Sequence, residues 1–381
     1  MKISRIEIEN YRNIPKMEFS PCPGVNIIFG DNAQGKTNLV EAIWLFTGAK
    51  SFRGGKDQEL IRFETEAARL SLTFQKDERE QCASILIPRK GRKEVELNYV
   101  PLSSQSALAG EFYAVIFSPV HLSLVKDGPE VRRRFLDLAI GQLMPRYVDI
   151  LSRYARILRQ RNALLKDMRS GLHLYPEETL EVFDDALARA AVSLIRARQK
   201  YVCRLCETAG NIYQGISREN ESMSLEYLCG VPQMEEVSAE KILCQLRLSR
   251  ENDIAAASTL VGPHRDDIGI DIDKKLAKSF GSQGQQRSCV LSLKLAESII
   301  IKEVTGQNPI ILLDDVMSEL DSSRRDYLLN HLSDQQVFIT CCETAYFRPL
   351  KNGRCFRVAD GEICETFDLN TGNRQNDPNN G

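Results

Sequence analysis

The stretch of sequence that decides the fold is residues 25–46, which read VNIIFGDNAQGKTNLVEAIWLF. Its centre, from Gly30 to Thr37, fits the phosphate-loop pattern G-x-x-x-x-G-K-S/T at every constrained position. Residues 25–29 are mostly apolar and predict a short buried strand, and apolar side chains recur at helical spacing after the loop. A strand, a glycine loop and a helix N-terminus in this order predict a cradle for the phosphates of a nucleoside triphosphate.

Each constrained position of the loop has its own physical role. Gly30 and Gly35 allow backbone angles and a close approach that a Cβ would block, so that successive N–H groups can face a phosphate. Lys36 supplies a positive charge between the β- and γ-phosphates, and Thr37 offers its hydroxyl to Mg²⁺. We therefore predict that ATP and Mg²⁺ are bound here. The residues concerned are Gly30, Asp31, Asn32, Ala33, Gln34, Gly35, Lys36 and Thr37.

A second motif for the same kind of site lies near the other end of the chain. Residues 309–315, PIILLDD, form an apolar run that ends in two carboxylates, which is typical of a buried parallel strand. The run resembles a Walker B strand, in which Asp314 would hold Mg²⁺ through water and Asp315 would act as a general base on the attacking water. Two adjacent aspartates can also mark a plain turn, but the phosphate loop in the same chain favours the Walker B interpretation.

Residues 280–287, FGSQGQQR, are a loop of hydroxyl and glycine residues that opens a long helix, and such a helix N-terminus can bind an anion. The phosphates at the first loop already have a helix dipole behind them. We therefore expect Ser282, Gly284 and Gln285 to face either another γ-phosphate or the far side of a phosphate held by a partner chain. Ordinary capping of the helix by Ser282 is the alternative. Together with Lys36 and Asp315, Ser282 is predicted to act in catalysis.

The order of these motifs along the chain resembles that of the ABC-type ATPase heads of the SMC class. Further stretches are similar to the RecF family within that class. These are IENYRN at 8–13, FSP at 117–119, GP at 128–129, RRRFLD at 132–137, VGPHRDD at 261–267 and SELD at 318–321. The resemblance runs from Met1 to about Glu365, and the combination is much more specific than any single motif.

This resemblance implies an ATP-dependent, DNA-binding homodimer of recombinational repair. It would act at single-strand gaps or duplex/single-strand junctions, help to load a recombinase, work with partners of the RecR and RecO kind, and serve replication and SOS induction. ATP would lie between the phosphate loop of one subunit and Ser282 of the other, and a weak, DNA-dependent hydrolysis would reset the clamp. In related heads an N-terminal arginine and asparagine touch the nucleotide, and Arg12 and Asn13 stand at the matching places.

The sequence departs from transporter-type ATPases at the switch after the next strand. Residues 337–340, VFIT, lead into Cys341 and Cys342, where those ATPases place a histidine. A polar switch role for Thr340 and the identity of a Q-loop glutamine both stay open.

The spacing of the motifs predicts an α/β fold: an ABC/SMC-type ATPase head, which is a P-loop NTPase with a β-sheet core, carrying an inserted, mainly helical lobe. The head would comprise residues 1–118 and 258–381, and the lobe residues 119–257. An insertion of about 140 residues is too short for the long coiled coil of SMC proteins. The polar segment 370–381 has no buried-face pattern and is expected to be disordered.

Most arginine clusters lie in the predicted lobe, although the net charge of the chain is only −2. One cluster alone is more often a solvated face, but several together favour contacts with DNA phosphates that carry no sequence specificity. The arginines predicted to contact DNA are Arg132, Arg133, Arg134, Arg153 and Arg156, and Arg159 and Arg161 continue the same row.

The composition of the chain predicts the cellular compartment in which the protein works. No run of about eighteen uncharged apolar residues predicts a membrane span, and the first residues, MKISRIE, are charged, so we expect a cytoplasmic protein without a membrane partner. Eleven cysteines without a framework spacing fit a reducing environment. Cys203 and Cys206 form a single C-x-x-C, interpreted as two thiols on a helix face, with a metal site as the alternative.

Two other functions fit parts of the pattern. A nuclease with an ATPase head of the OLD type needs a further carboxylate-rich metal domain, and only about forty residues follow Ile339. A transporter ATPase needs the switch histidine and a membrane-domain partner. The order of the motifs favours an ATP-switched DNA-binding mediator over both.

Overall fold

The computed structural model describes residues 1–171, 178–218, 220–232, 236–342 and 353–369. The chain divides into two compact units: Met1–Leu122 with Leu293–Gly381, and Ser123–Ser292. The predicted boundaries were 118/119 and 257/258, so residues 258–292 lie in a different unit from the one expected. The segment predicted to be disordered, 370–381, lies outside the described residues.

The strands of the described chain are β1 Lys2–Tyr11, β2 Ile14–Phe19, β3 Val25–Phe29, β4 Ala67–Lys76, β5 Arg79–Pro88, β6 Glu94–Leu97, β7 Val100–Leu102, β8 Ala114–Phe117, β9 Met223–Leu228, β10 Asp267–Ile272, β11 Lys275–Leu276, β12 Ile310–Asp314, β13 Val337–Cys341, β14 Arg354–Ala359 and β15 Glu362–Asp368. The helices are α1 Lys36–Leu45, α2 Ser123–Lys126, α3 Pro129–Leu143, α4 Pro145–Ser170, α5 Glu178–Ser217, α6 Ala239–Leu248, α7 Arg250–Ala256, α8 Ala277–Phe280, α9 Gln283–Thr305 and α10 Ser322–His331.

The first unit contains a mainly parallel sheet in the order β15-β14-β3-β13-β12-β8. Strands β14, β3, β13, β12 and β8 run parallel, and β15 is an antiparallel edge strand. Every residue of β12 and β13 is buried. Continuous burial is expected of parallel strands covered on both faces, which is why both strands were recognisable in the sequence as apolar runs.

An antiparallel sheet, β2-β1-β4-β5-β6-β7, forms the rest of the β structure of this unit. Its strands alternate buried and exposed residues, as in β4, so one face is covered and the other is solvated. Helix α1 contacts strand β1 of this sheet and strands β12 and β13 of the other. It is buried on nearly all sides, which explains why its sequence is apolar beyond a single stripe.

The second unit is built on the long helices α3, α4 and α5, which lie within residues 119–257, where a mainly helical lobe was predicted. It also contains an antiparallel sheet in the order β11-β10-β9, which the expectation of a mainly helical lobe did not include. Strand β10 pairs with β9 along its whole length, from Asp267 opposite Leu228 to Ile272 opposite Met223. This pairing holds residues 258–292 in the second unit and accounts for the shifted boundary.

In the part of the chain that the structure describes, every helix is too short or too polar to cross a membrane.

Candidate nucleotide-binding site

The carboxyl ends of the parallel strands meet at one edge of the sheet, and a cavity of about 440 Å³ opens there. Strand β3 leads into the glycine loop, β12 ends at Asp314, and β13 carries Thr340. This is the edge at which open α/β sheets bind ligands. The lining residues are Asn13, Asn32, Ala33, Gln34, Gly35, Lys36, Thr37, Asn38, Arg53, Asp315, Thr340 and Cys342.

The two glycines of the loop are required by its geometry. Gly30 has φ +150°, and a Cβ at that position would lie 2.3 Å from the carbonyl oxygen of Val358. Gly35, the N-cap of α1, has φ +107°, and its Cβ would lie 2.9 Å from Oδ1 of Asn13. Both positions combine a backbone conformation that favours glycine with a neighbour too close for a side chain. The loop can therefore keep this conformation only with glycine at these two positions.

The Lys36 side chain is folded along the loop. Its Nζ donates hydrogen bonds of 2.7 Å to the carbonyl oxygens of Gly30 and Asp31 and lies 3.9 Å from the Sγ of Cys342. Only 9% of the residue is exposed. A buried ammonium held by two carbonyls places a fixed positive charge at the cavity, as the motif predicts.

Thr37 and Asp314 meet from opposite ends of the sequence. The Thr37 hydroxyl donates to Oδ1 of Asp314 at 2.8 Å, and the Thr340 hydroxyl donates to the same oxygen at 2.9 Å. Burial raises the pKa of Asp314 above its ordinary value, and the two hydroxyl hydrogen bonds act in the opposite direction. The backbone N–H of Asp315 donates to the Thr340 oxygen at 3.0 Å, so Thr340 connects the Asp314 carboxylate to the Asp315 backbone. Thr340 is thus placed at the site, where the sequence had left its role open.

Asp315 lines the cavity in a left-handed backbone conformation, with φ +53°. That conformation turns the chain away from β12 directly after Asp314. The Ser318 hydroxyl donates to the Asp315 carbonyl at 3.1 Å. The assignment of Asp315 as a general base stays a prediction.

Arg12 and Asn13 are placed differently from one another. Asn13 lines the cavity and donates through Nδ2 to the carbonyl of Ala33 at 2.8 Å. Arg12 is not a lining residue, because its Nε and Nη2 each donate to Glu41 at 2.9 Å. The contact between Arg12 and nucleotide stays a prediction.

Arg53, Asn38 and Cys342 were not assigned to the site from the sequence, and of these three lining residues Arg53 is the cation. Its Nη1 donates to Oδ1 of Asn38 at 2.8 Å, and it contributes a positive charge to the cavity. No short motif marks this position, so only its place in the fold reveals it.

Ser282, Gly284 and Gln285 belong to the second unit, at the start of α9. Ser282 is exposed; its hydroxyl accepts from the N–H of Gln285 at 3.2 Å, and its own N–H donates to Oε1 of Gln285 at 2.7 Å. This reciprocal pair is a capping box, so the capping alternative describes the single chain. An exposed hydroxyl at a helix N-terminus also keeps the capacity to meet an anion.

The arginines predicted to contact DNA divide into two groups. Arg132 is only 8% exposed, and its Nε donates to Oδ1 of Asp267 at 2.6 Å. Arg133 donates to the carbonyl of Asp266 at 2.6 Å. The prediction for Arg132 is therefore wrong on accessibility, because an internal carboxylate holds its guanidinium. The exposed members are Arg134, Arg153, Arg156 and Arg159.

Arg161 also departs from its expected place on a basic face. Its side chain is 0% exposed, and it donates to Asp184 at 2.6 Å, to Asp253 at 2.7 Å and to the Thr259 hydroxyl at 2.8 Å. These partners satisfy its charge inside the second unit. Arg161 is a structural cation, not a DNA contact.

Four residues of the stretch 261–267, VGPHRDD, are likewise buried in the second unit, namely Val261, Gly262, Pro263 and Asp266. Asp266 is fully buried and accepts from Nη1 of Arg198 at 2.7 Å. Nδ1 of His264 lies 2.6 Å from the Tyr154 hydroxyl, and burial lowers the pKa of His264 to about 4. The stretch joins β10 to the helices by buried polar contacts.

The C-x-x-C cysteines lie on α5, where the Sγ of Cys206 accepts from the N–H of Leu225 at 3.2 Å. Among the described residues, no group of three His, Cys, Asp or Glu side chains is arranged to hold a metal ion.

Comparison with known proteins identifies the class of protein to which this fold and site belong. The family model described as "RecF/RecN/SMC N terminal domain" matches residues 2–361. An Smc head bound to the C-winged helix domain of ScpA shares the fold, with a TM-score of 0.55 at 14% identity. The fold and the site thus define an ABC-type ATPase head of the SMC class.

Three proteins with a higher sequence identity to this chain than the Smc head are named RecF. The DNA replication and repair protein RecF of Clostridium perfringens (strain 13 / Type A) is 38% identical over 367 residues, covering 95% of this chain and 99% of the relative. That of Ruminiclostridium cellulolyticum is 39% identical over 370 residues, covering 95% and 99%. A solved structure of "the recombination mediator protein RecF-ATPrS in RecFOR pathway" has a TM-score of 0.88 and 36% identity, covering 95% of this chain and 97% of that one. The chain belongs to the RecF family.

Proposed function

We propose that the protein is an ATP-gated DNA-binding protein of recombinational repair. Two copies close on DNA at single-strand gaps or duplex/single-strand junctions and help to load a recombinase, and slow ATP hydrolysis reopens them. The observation that carries the proposal is that Lys36, Thr37 and Asp315 line one cavity and that Asp314 accepts a hydrogen bond from Thr37. Similar solved chains are described as RecF with ATP and as a recombination mediator in the RecFOR pathway, which supports ATP as the ligand and partners of the RecR and RecO kind.

The residues of the cavity have distinct roles in this proposal. The loop N–H groups and the Lys36 ammonium bind the β- and γ-phosphates, and Arg53 adds a second positive charge. The hydroxyl of Thr37 and the carboxylate of Asp314 are hard oxygen donors 2.8 Å apart, a donor set that fits Mg²⁺. Bound Mg²⁺ would neutralise charge on the phosphate oxygens. Asp315 would orient the attacking water and accept its proton.

The proposed dimer explains why one chain carries two anion-binding helix starts. The exposed Ser282 at the start of α9 would meet the γ-phosphate held by the partner copy, donating its O–H to phosphate while its oxygen still accepts from the N–H of Gln285. Closure would then depend on ATP, and hydrolysis would depend on closure. The functional output of ATP binding would be the closed dimer, as in other nucleotide-gated switches.

A mixing experiment tests the composite site. Lys36→Arg and Ser282→Arg should each fail to dimerise with ATP and should each lose ATP hydrolysis. Mixed together, they form some heterodimers in which one site has an intact phosphate loop from one copy and an intact Ser282 from the other. Because neither variant dimerises alone, only heterodimers form, and we expect the mixture to recover hydrolysis to at most about half of the wild-type rate. Sizing by light scattering, with and without ATP and gapped DNA, measures closure in parallel.

Two results would count against the composite site. One is a wild-type chain that stays monomeric with ATP while hydrolysis proceeds. The other is a mixture that recovers nothing although each variant, sized alone with gapped DNA, remains folded.

A further inference from the structure

Glu41 is a fully buried carboxylate in the middle of α1, with a side chain that is 0% exposed. It follows the phosphate loop directly in sequence but is not one of the residues lining the cavity. Burying a carboxylate is costly unless it is paired and hydrogen-bonded. The partners that offset this cost therefore indicate which residues Glu41 holds in place.

One set of partners leads to one wall of the cavity. Both Glu41 oxygens accept from Arg12, at 2.9 Å each, in a two-pronged pair. The next residue is Asn13, whose Oδ1 accepts from Nδ2 of Asn38 at 2.7 Å and whose Nδ2 donates to Ala33 at 2.8 Å. Arg12 itself has φ +54°, a conformation that few non-glycine residues adopt without support. The ion pair with Glu41 thus holds the backbone turn that presents Asn13.

The other set of partners leads to another wall of the cavity. The Ser51 hydroxyl donates to Oε1 of Glu41, and the N–H of Arg53 donates to the Ser51 oxygen at 3.1 Å. The guanidinium of Arg53 lies 4.0 Å from Oε2 of Glu41 and is bonded to Asn38 at 2.8 Å. Asn38 therefore lies between the two walls, with Asn13 on one side and Arg53 on the other.

We infer that Glu41 is a positioning residue for nucleotide binding, which holds Asn13 through Arg12 and Arg53 through Ser51 so that both face the cavity. The Arg12 pair neutralises the Glu41 charge, which leaves the charge of Arg53, at the longer 4.0 Å separation, available to a phosphate. Glu41 acts without touching the ligand. The inference rests on the proposed function, since it assumes that ATP occupies the cavity.

The test compares Glu41→Gln with a matched control in the same unit. Glu297→Gln removes another buried carboxylate, which is 1% exposed and paired with Lys294 away from the cavity. The readouts are the Kd for a fluorescent ATP analogue, measured by titration, and the melting temperature. We expect both variants to melt earlier, and Glu41→Gln alone to weaken nucleotide binding, by about tenfold, the equivalent of about 1.4 kcal/mol.

A double variant identifies the path through Arg53. If Glu41 acts by placing Arg53, then Glu41→Gln and Arg53→Gln together should weaken binding by less than the product of the single effects. Ser51→Ala should reproduce part of the Glu41→Gln effect, because it removes only one of the two connections.

Lys36→Ala, measured alongside, separates the possible failures. If Lys36→Ala binds nucleotide as well as the wild type, the proposed function is wrong. If Lys36→Ala loses binding while Glu41→Gln keeps the wild-type Kd and only melts earlier, Glu41 is merely structural and this inference is wrong.

Discussion

At the scale of single residues, Gly30 carries the sharpest steric constraint of the nucleotide cavity. In Gly30→Ala the new methyl group would lie 2.3 Å from the Val358 carbonyl oxygen, in a backbone conformation with φ +150° that alanine rarely adopts. The loop must then move away from β14. We expect nucleotide affinity to fall by at least about tenfold, with a loss of stability of about 1–3 kcal/mol. Titration with a fluorescent ATP analogue and urea unfolding measure the two effects.

Gly24→Ala is the matched control for Gly30→Ala. A Cβ at Gly24 would meet no atom within 4 Å, and Gly24 directly precedes strand β3, which Gly30 directly follows. It should leave affinity and stability close to wild type. Equal behaviour of the two alanine variants would show that the loop at Gly30 tolerates displacement.

The sequence identified some site residues and not others, for a physical reason. Lys36 and Thr37 were found because a local loop imposes their spacing, and Asp314 because a buried strand precedes it. Arg53 was missed because its place at the cavity depends on Ser51 and Glu41, which fold toward each other across the end of α1. A contact of this kind leaves no periodic signal in the sequence.

At the scale of secondary-structure elements, Arg161 joins three segments of the second unit. It lies on α4 and bonds Asp184 on α5 and Asp253 on α7, all with side chains that are 0% exposed. Arg161→Met leaves two buried carboxylates without this partner, which typically costs about 3–5 kcal/mol. We expect its urea midpoint to fall accordingly, as followed by far-UV circular dichroism.

Arg159→Ala provides the comparison for Arg161→Met, because Arg159 is exposed on the same helix. An exposed substitution of this kind usually changes stability by less than about 0.5 kcal/mol. An Arg161→Met variant as stable as Arg159→Ala would mean that the buried network contributes nothing net to the fold.

Secondary-structure elements were predictable where apolar residues form a continuous run or recur at helical spacing. They were not predictable where apolar and polar residues alternate over short strands. Strand β3, helix α1, strand β12 and helix α9 all lie where their apolar patterns place them. The sheet formed by β9, β10 and β11 was missed. Strands β9 and β10 are far apart in sequence, and an antiparallel pair of six-residue strands carries only a weak alternating signal. The error moved the domain boundary, because β10 determines to which unit residues 258–292 belong.

At the scale of the whole molecule, a net charge of −2 hides a basic surface on α4. Arg153 and Arg156 are exposed on that helix and make no hydrogen bond or ion pair with the described residues. Arg132 and Arg161 belong to the same sequence clusters but are buried against carboxylates. Charge clusters in the sequence therefore overestimate the basic surface, since pairing partners such as Asp267 lie far away in the chain.

The salt dependence of DNA binding tests whether the exposed face of α4 meets phosphates. Each cation that neutralises a phosphate releases counterions and contributes about 0.9 to the slope of log K against log salt. Arg153→Gln combined with Arg156→Gln should weaken ATP-dependent binding to gapped DNA and make the slope shallower by about 2. Fluorescence anisotropy over a series of NaCl concentrations measures both quantities. Arg189→Gln on α5, which is exposed and paired with Asp185 at 2.9 Å, should leave the slope unchanged. A double variant with the wild-type slope would exclude Arg153 and Arg156 from the DNA contact and move the search to Arg134 and Arg159, which are also exposed.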